Sequence, residues 1–146
     1  MGISRMTVAR VLLSMAFLGS VMSMLQTLSH LTDPEYYLPA LADGPQHARF
    51  HFVREVVGDI GKIVAAGIIL AQPETRRTPT LWWLLLILML SYFGGFWAGY
   101  PILGVGAPNL PAQIVHTLTT VLGLAGVWVA KRCFQPAPAG VGELRT

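Results

Sequence analysis

The chain has 146 residues and a mass of 15.9 kDa, about one domain's worth. Hydrophobic residues make up 53% of it and charged residues only 12%, with a mean hydropathy of +0.57. Soluble domains carry about 25% charged residues, so a soluble globule and a disordered chain are both excluded in favour of an all-α integral membrane protein. A single Cys rules out an internal disulfide framework and a Cys-rich zinc site.

In chain order, residues 11–32 contain no Asp, Glu, Lys or Arg, and neither do residues 78–130. Crossing a bilayer takes about 20 apolar helical residues. The first gap predicts one helix over 8–29, retained as a span rather than cleaved as a signal peptide, because 20–23 is no A-x-A site. A second apolar stretch, 48–71, is long enough to span but carries charge in its first half and stops before Pro73. The long gap holds two helices, 80–100 and 112–132, split by the Pro- and Gly-rich segment 101–111. Residues 1–134 thus read as a single four-helix transmembrane domain and 135–146 as a flexible cytoplasmic tail. Small residues at helical spacing predict packing seams: Ser91, Gly95 and Gly99 in the third helix, Thr119, Gly123, Gly126 and Ala130 in the fourth, Gly61 and Ala65 in the second. The aromatics from Trp82 to Tyr100 read as interface anchors.

Four crossings put Arg5, Arg10, Arg76, Arg77, Lys131, Arg132 and Arg145 on one side, facing loops that carry only Asp33, Glu35 and Asp43. Basic loops stay cytoplasmic, so both termini are expected there, in a membrane of the bacterial inner type. Topology accounts for the excess of three positive charges, and no nucleic-acid partner is needed.

The informative stretch is 47–62. At about 100° per residue, His47, His51, Arg54, Glu55, Asp59 and Lys62 share an arc of about 140°. A charge at the bilayer centre costs about 2.5–3.5 kcal/mol on insertion scales, so these groups are expected to face the bundle interior. A register-setting ladder of Arg54 and Lys62 with Glu55 and Asp59 explains four of them. It leaves the histidines: His30, His47, His51 and His116 all belong to the outer side. His30, His47, His51 and His116 form a candidate set for a divalent metal; acid–base or hydrogen-bonding roles are the alternative. Haem between His51 and His116 finds no further signal. Tyr36, in the acidic outer loop, is a candidate cap for a pocket.

The segment His47-Ala48-Arg49-Phe50-His51 resembles a signature of some small four-helix membrane proteins, where it also opens a helix after an acidic loop. Asp33-Pro34-Glu35-Tyr36-Tyr37 followed by Glu55 is similar to the emopamil-binding/sigma-2-like group. That resemblance implies buried carboxylates and a His that bind, and in some members isomerise, sterol-like molecules. Arg54, Asp59, Gly61 and Lys62 are similar to the R-x4-D-x-G-K run of succinate dehydrogenase membrane anchors; Glu55 stands where their haem His follows Arg. The three patterns are short and point to different families.

Two functions follow as expectations. One is a pocket open to the outer face that binds a lipophilic small molecule of sterol, quinone or isoprenoid type. There Glu55, Asp59 and His51 would be catalytic, and Arg54, Lys62, His116 and Tyr36 would bind the ligand. The other is a non-enzymatic accessory subunit of a larger membrane complex of respiratory or photosynthetic type, with the polar face docked on a partner helix; a homo-oligomer is compatible with the first.

Overall fold

A computed structural model of the chain describes residues 2–32 and 44–135, the side chains of 44–48 excepted. Tyr36 and the side chain of His47 lie outside the described residues, as does the tail from 136. Polar caps open three of the helices. Ser4 Oγ accepts from the Thr7 amide and starts α1 (Arg5–Ser29). Thr78 Oγ1 accepts from the Leu81 amide and starts α3 (Pro79–Trp97), and Asn109 Oδ1 accepts from the Ala112 amide and starts α5 (Leu110–Ala130). Between them lie α2 (Gly44–Ala71) and the short α4 (Gly99–Leu103). The described residues contain no strand.

Three segments, Arg5–Thr32, Pro79–Leu103 and Leu110–Phe134, are long and apolar enough to cross a membrane. Helix α2 matches them in length but carries Arg54, Glu55, Asp59 and Lys62. The connection after α3 departs from the expected loop. Pro101 sits in the first turn of α4, where no amide hydrogen bond is required of it. Helicity therefore runs on to Leu103 and ends at Gly104, whose φ of 69° suits a residue without Cβ.

The four long helices pack in the cyclic order α1, α5, α3, α2, with α1 against α5 the most extensive contact. Small residues let these two approach closely, the main source of adhesion between helices in lipid. On α1, Ala9, Leu13, Ala16 and Ser20 are fully buried; on α5, Gly123, Gly126 and Ala130 oppose α1 and α3. A Cβ at Gly126 would come within 2.8 Å of Leu13 Cγ and 3.2 Å of the Ala9 carbonyl, and one at Gly123 would collide with the Phe93 ring. The expected α5 seam is thus used. The seams on α2 and α3 are not: Gly61, Ser91 and Gly95 are exposed, because α3 turns Leu85, Met89, Tyr92 and Phe93 inward instead. Trp82, expected as an interface anchor, is buried, and its Nε1 donates to the Val127 carbonyl at 2.9 Å.

One end of the bundle gathers the basic residues. Arg10 Nε and Nη2 donate to the Leu70 carbonyl at 3.1 and 2.8 Å, capping the last turn of α2 from α1. Lys131 lies over the rings of Trp82 and Trp128 at 5.0 and 5.2 Å. The outer surface is the reverse of a soluble protein's. Large apolar side chains such as Val11, Leu18, Leu25, Ile87, Leu118 and Val121 are exposed along the helices.

Candidate functional site

The polar groups collect at the end opposite Arg10 and Lys131. The last turns of α1 place Ser23, Gln26 and Thr27, and its C-cap His30, at spacings of three and four, which is one helical face. Across from it α3 supplies Gly95 and Phe96, α4 supplies Gly99, α5 supplies His116, and residues 105–108 form the rim. With Glu55 of α2 these residues enclose a cavity of about 240 Å³. Gly95 and Gly99 carry no side chain to fill it.

His116 is held from two directions. Its ring stacks on Phe96 with centroids 4.2 Å apart and planes within 2° of parallel. Its Nε2 lies 3.4 Å from Ser23 Oγ, a long hydrogen bond. The backbone beneath is tethered to α3, because Trp97 Nε1 donates to Thr120 Oγ1 at 3.0 Å and Thr120 Oγ1 donates to the His116 carbonyl at 2.7 Å. The other ring nitrogen, Nδ1, is buried and has no hydrogen-bond partner among the described residues. Leaving such an atom unsatisfied costs about 1–3 kcal/mol.

Deeper in the bundle, Lys62 Nζ and Asp59 Oδ1 form an ion pair at 2.9 Å. Asp59 is the more enclosed partner, with 13% of its side chain exposed against 34% for Lys62. The ammonium also lies 5.7 Å from the centre of the Tyr92 ring. Tyr92 is buried, with the Ser20 hydroxyl beside its own. Ser20, which donates to the Ala16 carbonyl at 2.9 Å, Asp59 and Glu55 lie within electrostatic reach of that hydroxyl. Toward the basic end the core turns apolar, with Leu13, Ala16, Ala66, Leu85 and Met89 buried. The polar region is therefore one-sided. It offers acid–base and hydrogen-bonding groups but no polar route through the described bundle.

The structure divides the sequence-predicted residues into three sets. His30, Glu55 and His116 line one cavity. Asp59 and Lys62 pair below it. His51 and Arg54 are not among the lining residues: His51 meets Phe50 edge-on at 5.6 Å, and the Arg54 guanidinium lies 5.8 Å over the same ring from an exposed position. The physical reason is the rotation of α2, which turns Val56, Asp59, Ile63 and Ala66 inward and leaves Arg54, Gly58 and Gly61 outward. Among the described residues no three His, Cys, Asp or Glu side chains converge to hold a metal ion. Sequence reasoning missed Ser23, Gln26, Thr27, Tyr92 and Phe96. The first three, with His30, were legible as a polar stripe closing an otherwise apolar helix.

No protein-family profile, curated protein or solved structure matches this chain.

Proposed function

We propose that all four helices cross a bilayer with both ends of the chain cytoplasmic. In this reading the cavity at the outer end receives the polar head of a lipophilic small molecule. For α2 the support is its outward face: Phe50, Val53, Val57, Ile60, Val64 and Ile68 are all exposed, while Asp59 is turned in. Asp59 thus follows the pattern expected of a charge inside lipid. For the ligand, the carrying observation is His116 in the wall of a cavity lined by Ser23, Gln26, Thr27 and Glu55, its buried Nδ1 without a partner among the described residues. A cavity of about 240 Å³ is smaller than the roughly 300–1,000 Å³ of sites that enclose a drug-sized ligand. It suits a single-ring or hydroxyl-bearing head, with the hydrocarbon remainder in the bilayer. Any chemistry there is acid–base, with Glu55 giving or taking the proton and His116 as the second group.

The test is to purify the full chain in mild detergent and identify by mass spectrometry what co-extracts. The expected result is a lipophilic compound with an oxygenated head that His116→Ala loses and Glu74→Ala, on the surface, retains. Identical extracts from all three proteins would overturn the reading. A second reading, the accessory subunit, has its own support: exposed Arg54 lies beside Gly58 and Gly61, where nothing stands within 4 Å of a Cβ position. A chain that stays folded only alongside another membrane protein would favour it.

A further inference from the structure

At the opposite, basic end, α1 and α2 part. The Arg10–Leu70 bonds join them there, and the contact of Arg49 Nε with the Leu31 carbonyl at 2.8 Å joins them at the other end. Next to the Arg10–Leu70 contact a cleft of about 480 Å³ opens, lined by Arg10, Ser14, Phe17, Gly67, Leu70 and Ala71. Its walls are apolar apart from one hydroxyl and one guanidinium. Gly67 leaves it open, with nothing within 4 Å of where a Cβ would stand.

The guanidinium is only partly used. It carries five N–H donors, and Nε and one Nη2 hydrogen serve Leu70, so three have no partner among the described residues. The connection that follows α2 adds Arg76 and Arg77, with Glu74 the one acid among them. Arg77 spends its Nε on the Gln72 carbonyl at 3.0 Å. Arg10 therefore stands in the wall of an apolar slot, and Arg76 and Arg77 lie on the connection that follows its α2 side.

We infer that this cleft binds an anionic phospholipid, its phosphate on Arg10 and an acyl chain between α1 and α2. The inference rests on the membrane reading above and is independent of the outer cavity. Charge complementarity selects an anionic headgroup over a zwitterionic one, and the apolar walls select a lipid over free phosphate.

The experiment is native mass spectrometry of the full chain released from non-ionic micelles, titrated with phosphatidylglycerol or with phosphatidylcholine of the same acyl composition. Phosphatidylglycerol should be retained preferentially. Arg10→Gln should weaken its retention about fivefold, the effect of one basic residue at a membrane surface, and leave phosphatidylcholine unchanged. Gly67→Leu, whose Cβ would meet nothing within 4 Å and whose side chain enters the slot, should lower retention of both lipids, while Arg132→Gln, in a different cleft, should lower neither. Equal retention of the two lipids, or an Arg10→Gln protein that binds as the parent does, would overturn the inference. So would displacement of the lipid by millimolar inorganic phosphate alone. If Arg10→Gln does not fold, Gly67→Leu decides: retention equal to the parent's refutes the site. Loss of this site with the His116-dependent compound still bound would leave the outer cavity standing.

Discussion

The ion pair inside the bundle makes the sharpest demand on stability. Replacing Asp59 by Asn removes the counter-charge from Lys62, whose ammonium sits 2.9 Å from Oδ1 and against the Tyr92 ring. Breaking a fully buried pair costs about 3–5 kcal/mol. Lys62 keeps 34% of its side chain exposed and its long stem can reach toward water, so a loss of about 2–3 kcal/mol is expected. Lys62→Met leaves Asp59 the uncompensated charge, and Asp59 is the more enclosed of the two, so its loss should be at least as large. Removing both leaves no unpaired charge, and the double variant should be more stable than either single one. The coupling should lie in the range of about 0.5–3 kcal/mol typical of contacting residues, toward its upper part. The assay is reversible unfolding in mixed micelles, followed by circular dichroism, for the four proteins of the cycle, with exposed Arg54→Gln as a control expected within about 0.5 kcal/mol of the parent. Additive losses for Asp59 and Lys62 would refute the inward placement of the pair.

Three further outcomes follow from the packing. Gly123→Leu and Gly126→Leu overfill the α1–α5–α3 contact and should each cost at least about 1–3 kcal/mol in the same unfolding assay. Gly61→Leu and Gly94→Leu point into open space and should be near neutral, so equal losses at all four sites would contradict the assigned faces. Trp97→Phe removes the bond to Thr120 and should lower stability by about 0.5–1.5 kcal/mol. It should also weaken retention of the His116-dependent compound, because α5 loses its tie to α3 at that level.

The helices were legible in the sequence because their signals are local: uncharged runs of spanning length, and prolines and polar caps at the boundaries. Ser4 and Asn109 show the limit, since each starts its helix two or three residues earlier than the hydropathy pattern suggests. Which glycines pack was not legible. Gly95 and Gly126 look alike in sequence, and only the neighbours set by α3's inward Tyr92 and Phe93 distinguish them. The same holds for the site. Helical spacing grouped Glu55, Asp59 and Lys62, but the rotation that keeps His51 from the cavity lining and admits Glu55 depends on how Val56 and Ala66 seat against other helices. The stripe Ser23, Gln26, Thr27 and His30 went unread because single hydroxyls and amides barely lower the hydropathy of a span. His116 was found only as an ionisable group; its bracing by Phe96 and Ser23 joins residues far apart in the chain.

The account turns on α2 lying in lipid with Asp59 inward, and accessibility along that helix tests it most directly. In a Cys133→Ser background, single cysteines from Val53 to Ala66 would be spin-labelled in reconstituted vesicles and probed with oxygen and with a water-soluble nickel chelate. Oxygen accessibility should peak at Val53, Val57, Ile60 and Val64 and fall at Val56, Ile63 and Ala66, with the chelate excluded from the peaks. Chelate access across the whole segment, or a profile without the helical period, would contradict it.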